Sequence, residues 1–213
     1  MEGHVMKIKI CGITKEEEIR MLNDACVDYA GFVFYEKSKR NISVEDAAKL
    51  KGKLAPSIKS VAVTVSPDAD LVDRIASAGF DIIQVHKELN EEVIRRSKLP
   101  IWRAVNIKSS GDIAGLSDHI NSLSEDASQK IEAVVVDAPE FGSGKTFDWS
   151  GASFDKIAGV QFVLAGGLTA QNVAEGIRIF EPDIVDVSSS VEGDDSKDKN
   201  KINEFVNAVR SAK

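Results

Sequence analysis

The sequence predicts a single-domain α/β fold, a (β/α)8 (TIM) barrel over residues 1–213, and three observations carry that expectation. Short runs rich in Val, Ile and Phe recur eight times along the chain. Each is followed by polar turn residues and then by apolar residues at helical spacing. An early strand is not followed by the Gly-x-Gly-x-x-Gly turn that an open doubly wound sheet would want. Strands apolar on both faces and joined by helices pair in parallel, and eight such units in 213 residues close most economically into a ring. With 43% hydrophobic residues the chain can bury one sizeable core, so no second domain is needed.

The first strand is expected at 7–11 and ends in Cys11-Gly12-Ile13-Thr14. Thr14 with Glu17 reads as a capping box that opens a helix near Lys15, whose apolar stripe takes in Ile19, Leu22 and Cys26. The second strand, 30–34, is followed by Ser38-Lys39-Arg40 and by Ser43 with Asp46, a helix-start signal. The third, 59–65, runs into a further start signal at Ser66-Pro67, and the fourth, 80–86, carries Gln84 and His86. Beyond the fifth, 101–105, a polar stretch hides Ile113, Leu116, Ile120 and Leu123 at helical spacing. The sixth, 133–137, closes a valine run with the carboxylate of Asp137. The seventh, 161–165, passes through Gly166 and Gly167 to a helix near Ala170, with Val173, Ile177 and Phe180 on its apolar face. The eighth, 184–188, precedes a last helix marked by Ile202, Phe205, Val206 and Val209.

A formal charge of −7 leaves no basic face for nucleic acid or an anionic membrane, which points to a small-molecule ligand. An anionic ligand would have to be met by local devices, an arginine or a row of backbone N–H groups, against the overall field. The two cysteines belong to no Cys-x-x-Cys pair and no zinc-spaced cluster, so a structural metal is not expected. No apolar run is long enough to cross a bilayer and no signal-peptide core opens the chain, so the expected location is the reducing cytoplasm. No helix face is more apolar than barrel packing needs, which favours a monomer and leaves a homodimer open.

In such a barrel the carboxyl ends of the strands share one face, and their residues form the candidate site. Round that rim come Cys11, then Phe34 with Arg40 beyond it, Gln84 and His86, Arg103, Asp137, Gly166 and Gly167, and Asp186 with Ser188, Ser189 and Ser190. Adjacent glycines leave N–H groups bare enough to approach an oxyanion, and the serine loop after strand eight can meet the same phosphate from the other side. Cys11 and Asp137, across a barrel mouth from one another, make an acid and base pair able to flank a sugar ring. Arg40 offers a planar fork that matches a carboxylate. Phe141-Gly142-Ser143-Gly144-Lys145-Thr146 imitates a P-loop, but Pro139 stands where the first Walker glycine belongs, so an active-site loop is the better reading.

With these residues together the chain resembles the phosphoribosylanthranilate isomerase family of tryptophan biosynthesis, end to end. The likeness is carried by Lys9-Ile-Cys-Gly-Ile-Thr14, Gly31-Phe-Val-Phe34 with Ser38-Lys-Arg40, and Asp137 ahead of Phe141-Gly-Ser-Gly-Lys-Thr-Phe-Asp-Trp149. It continues in Leu164-Ala-Gly-Gly-Leu168 with Asn172-Val173, and in Asp186-Val-Ser-Ser189 with Val191-Glu192. The resemblance implies an Amadori rearrangement of N-(5-phosphoribosyl)anthranilate without metal or organic cofactor. It implies Cys11 as general base, Asp137 as general acid and Arg40 on the anthranilate carboxylate. The segments around Gly167 and Ser189 would hold the phosphate, with Asp186 in support. The chain departs from the family pattern at Ser190 and near Asp195, where glycine is usual, and at Lys87 after His86. Two other readings share the fold: the related histidine-pathway barrel isomerase, which has a carboxylate where Cys11 stands, and a phosphate-binding barrel without turnover.

Overall fold

The computed structural model describes residues 6–106, 129–137 and 159–212. Eight parallel strands close in sequential order, the last pairing with the first. They are β1 (Lys7–Cys11), β2 (Tyr29–Phe34), β3 (Lys59–Val65), β4 (Ile82–His86), β5 (Ile101–Asn106), β6 (Ile131–Asp137), β7 (Gln161–Leu164) and β8 (Ile184–Val187). Between them run α1 (Glu16–Ala25), α2 (Val44–Lys51), α3 (Ala69–Ser77), α4 (Glu91–Arg96), α5 (Val173–Phe180) and, after a 3-10 turn at Ser189–Val191, α6 (Lys199–Ser211). The helix expected from Ile113, Leu116, Ile120 and Leu123 and the loop at Phe141–Thr146 lie outside the described residues.

Strand alternation divides the apolar residues into two layers. Tyr29, Val33, Val61, Val63, Ile82, Trp102, Ala104, Ala133, Val135, Val163 and Ile184 fill the ring, with Tyr29 edge-on to Trp102 at 4.9 Å. Residues of the opposite parity, such as Ile8, Ile10, Phe32, Ile83 and Phe162, pack against Leu22, Ile75, Val173 and Phe205 of the helices. The same parity sends Lys9, Cys11, Gln84, His86, Asp137, Asp186 and Ser188 toward the ring interior or its mouth, because each lies an even number of steps from an interior residue of its strand or follows it in register.

A repeated aspartate ties the strand starts together. Asp28, Asp81 and Asp183, each just before an even-numbered strand, accept the backbone N–H of Ile8 (2.8 Å), Ser60 (2.8 Å) and Phe162 (2.7 Å) on the preceding strand. These charge-assisted bonds satisfy donors at the closed end of the ring, opposite the site.

Several expected helix starts move by a residue or more. Glu18, not Glu17, closes the α1 cap: its Oε2 accepts the N–H of Thr14 (2.7 Å) and of Lys15 (2.9 Å), with Lys15 as N-cap. Ser43 caps α2 as expected, accepting from Asp46 N, but α3 is capped by Asp68 rather than opened at Ser66-Pro67. The start of α5 slips from Ala170 to Val173 because Thr169 and Asn172 bond each other's backbones in a turn of their own. Cys26 leaves the apolar stripe: it terminates α1 in the left-handed conformation (φ 50°) and is exposed.

Candidate active site

The carboxyl end of the ring opens into a cavity that Cys11, Arg40, Asp137, Gly166, Gly167, Asp186, Ser188 and Ser189 all line, with Ser38, Gln84 and His86. Cys11 ends β1, half-buried, and β2 approaches it so closely that a Cβ on Gly31 would stand 2.9 Å from its sulfur. Asp137 ends β6, three strands away round the ring. Arg40 reaches in from the loop after β2 over Gly12, where a Cβ would meet its Cδ at 2.3 Å. Gly12 therefore serves both its own left-handed turn (φ 87°) and the arginine's path.

Gly166 and Gly167 hold positive φ of 82° and 63°, a pairing that bares their N–H groups and that side chains would strain. Ser188 donates its hydroxyl to the carbonyl of Cys11 at 2.9 Å, fastening the serine loop to the end of β1. Ser190 does not line the cavity; its hydroxyl donates to the Leu168 carbonyl at 2.6 Å, joining the two candidate phosphate loops. Arg103 also lies off the mouth, between the interior residues Trp102 and Ala104, and donates to the Val85 carbonyl.

Below the thiol lies a charge layer that apolar patterning does not reveal. Lys9, fully buried one interior step beneath Cys11, donates to Asp186 Oδ2 at 2.5 Å across the β1–β8 pairing. Burial works against the Lys9 ammonium, but the charges of Asp186 and of the Cys11 sulfur outweigh it and raise its pKa, so Lys9 stays charged. Burial pushes the Cys11 thiol up; Lys9 and Lys197 pull it back, while Asp186 adds to the rise. The start of α1 cannot do that work, since Glu16, Glu17 and Glu18 crowd its first turn and Glu18 already takes the bare N–H groups. Burial likewise pushes the Asp186 carboxyl up against the pull of Lys9 and Lys197, and its Oδ1 has no hydrogen-bond partner among the described residues.

His86 contacts Gln84, nitrogen to nitrogen, at 2.9 Å; burial, with the charges of Lys9 and Arg103, drives its pKa down to about 3. The imidazole is thus neutral at the mouth. Sequence reasoning missed Glu192 and Lys197. Glu192 accepts from Arg40 Nε at 2.5 Å, and Lys197 inserts its buried ammonium beneath it. Glu192 was visible only as the end of the Val191-Glu192 motif, and Lys197 is indistinguishable from its polar neighbours in sequence.

A family model described as N-(5'phosphoribosyl)anthranilate (PRA) isomerase matches residues 8–208. This chain belongs to the phosphoribosylanthranilate isomerase family. Relatives of that name include one from Streptococcus gordonii, 39% identical over 206 residues with 96% of this chain and 97% of the relative covered. One from Clostridium kluyveri is 38% identical, with 98% of this chain and all 100% of the relative covered. The crystal structure of phosphoribosyl anthranilate isomerase from Thermotoga maritima matches with a TM-score of 0.82 at 31% identity, covering 96% and 98% of the two chains. Another phosphoribosylanthranilate isomerase was solved in complex with reduced 1-(o-carboxyphenylamino)-1-deoxyribulose 5-phosphate; it matches at TM-score 0.78 and 29% identity, with the same 96% and 98% covered.

Proposed function

We propose that this chain isomerises N-(5-phosphoribosyl)anthranilate to 1-(2-carboxyphenylamino)-1-deoxyribulose 5-phosphate by general acid-base catalysis. The observation that carries the reading is that a thiol, a carboxylate, an arginine and two anion-binding loops line one cavity at the carboxyl ends of the strands in a member of this family.

Each group has a task that suits its place. Asp137 gives a proton to the furanose ring oxygen as the anthranilate nitrogen pushes the C1–O bond open, leaving an iminium ion. Cys11, as thiolate, takes the proton from C2, and the electron pair of that C–H bond neutralises the iminium to an enolamine. Tautomerisation to the ketone completes the rearrangement. The phosphate lies between the N–H groups at Gly166 and Gly167 and those at Ser188 and Ser189, with Ser190 bracing one loop on the other. Arg40 holds the anthranilate carboxylate. Asp186 acts through Lys9, keeping a positive charge under the thiol. All these groups belong to one barrel, so the proposed working unit is a single chain.

The test is product identity. Freshly generated N-(5-phosphoribosyl)anthranilate incubated with the purified protein should give the deoxyribulose phosphate, recognised by its C2 ketone carbon in the NMR spectrum. Binding of substrate without that ketone would reduce the protein to a phosphate-ligand barrel. Turnover confined to the bis-phosphorylated histidine-pathway aminoaldose would reassign the substrate.

A further inference from the structure

Glu192 sits outside the proposed acid-base pair yet gathers three cations. Its Oε1 accepts from Arg40 Nε at 2.5 Å and from Lys197 Nζ at 3.0 Å, and its Oε2 from Lys39 Nζ at 3.0 Å. Lys39 is a solvated surface partner, 72% exposed, but the side chains of Arg40, Glu192 and Lys197 are 15%, 14% and 1% exposed. Burial opposes the Glu192 charge, but the Arg40 hydrogen bond, the Lys197 charge and the Lys39 hydrogen bond together hold its pKa at about 2.

The carboxylate is itself fixed in place. Glu192 follows the 3-10 turn after β8, its N–H donating to the Ser189 carbonyl at 3.1 Å and its own carbonyl accepting from Lys201 at 2.7 Å. Lys197 is anchored by its backbone N–H on Glu18 and by its ammonium on the Ser188 carbonyl at 2.9 Å. Arg40 passes over Gly12 with its backbone N–H on Ser38 Oγ, and its Nη1 and Nη2 make no hydrogen bond among the described residues. A guanidinium is planar, with its donors in a rigid fork. Holding Nε on one side sets the plane and leaves the Nη1–Nη2 edge open to a two-pronged partner, and Arg40 lines the cavity.

We infer that Glu192, backed by the buried Lys197, is a positioning residue: it orients Arg40 so that the arginine's free edge receives the carboxylate of the substrate's aromatic ring. This rests on the reading of Arg40 given above. The carboxylate does not cancel the site's attraction for an anion, since Lys39, Arg40 and Lys197 outnumber it. It also immobilises a side chain that would otherwise lose its freedom on binding.

The test compares two substrates that share the phosphoribosyl group, N-(5-phosphoribosyl)anthranilate and N-(5-phosphoribosyl)aniline, which lacks the carboxylate. In Glu192→Ala, which keeps the Lys197 charge beside Cys11, the KM for the anthranilate compound should rise about tenfold relative to that for the aniline compound, with kcat within about twofold. Glu192→Gln keeps an acceptor for Arg40 Nε and should restore most of the preference. Glu192→Met, read by the same ratio, replaces the Ala variant if that variant folds poorly. An unchanged ratio, an equal rise of both KM values, or a Gln variant as impaired as Glu192→Ala would overturn the inference. Arg40→Ala separates the two layers of argument: if it abolishes the preference while the Glu192 variants keep it, only the positioning role falls, and if it leaves the preference intact, the Arg40 reading falls as well.

Discussion

At the scale of single residues the site is governed by buried charge rather than by helix ends. In the proposed role Cys11 has to ionise in a place that burial makes unfavourable for a thiolate, and the charges that favour it are Lys9 below and Lys197 beside it. Cys11→Ala and Asp137→Asn should each lower turnover at least about a hundredfold, the usual range for a lost acid or base, with unfolding curves close to those of the parent protein. Near-parental turnover in either would remove that residue from its role. His86 gives a different signature. Its folded pKa of about 3 is depressed from the ordinary 6.5, so the neutral native form contributes stability that is complete above pH 6.5 and drains away as pH falls toward 3. Between pH 7 and 5 the loss from this group should be about 2 kcal/mol. Urea titrations of the parent and His86→Gln at the two pH values should show that excess loss in the parent only. Cys11 and Asp137 could be found in the sequence because each ends an apolar strand, and Arg40 because it lies in the loop after the second strand within Ser38-Lys-Arg40. Glu192 and Lys197 could not, since what marks them is burial, which a polar stretch of sequence does not announce.

At the scale of elements, strands were easier to place than helix starts. A strand buried on both faces declares itself by composition, and Val134-Val135-Val136 leaves little choice. A helix start depends on which of several neighbouring side chains turns back to the bare N–H groups. In α1 the run Glu16-Glu17-Glu18 offered three candidates, and Glu18 prevailed because its other oxygen also accepts the Lys197 N–H at 2.9 Å from across the fold. Glu18→Ala would strand the buried donor at Lys197 and the part-buried ones at Thr14 and Lys15, and should cost about 2 kcal/mol by denaturant unfolding. A cost within a few tenths would mean that water replaces the carboxylate. Gly12 joins the element to the site: Gly12→Ala places a methyl group against Arg40 in a left-handed turn, and should raise KM for the carboxylate-bearing substrate as well as lower stability.

At the scale of the whole molecule, closure of the ring brings distant parts of the chain into one site. Lys9 and Asp186 stand 177 positions apart, and their ion pair lies across the seam where the last strand meets the first. Breaking one side of a buried pair leaves an uncompensated charge, so Lys9→Met should destabilise the barrel by about 3–5 kcal/mol, whereas Lys9→Met/Asp186→Leu should recover much of that loss. A double variant no more stable than the single would contradict the reading of the seam. The same closure helps a chain of net charge −7 to draw in an anionic substrate, because Lys9, Arg40 and Lys197 outnumber their partners Asp186 and Glu192 at or just beneath one mouth. The central claim is that this mouth is a working isomerase site. Its most direct test is to follow the fluorescence of freshly generated N-(5-phosphoribosyl)anthranilate after adding the purified protein. Signal should be lost far faster than by spontaneous breakdown, with that acceleration abolished in Cys11→Ala; decay at the spontaneous rate with the folded parent protein would show that the mouth is not such a site.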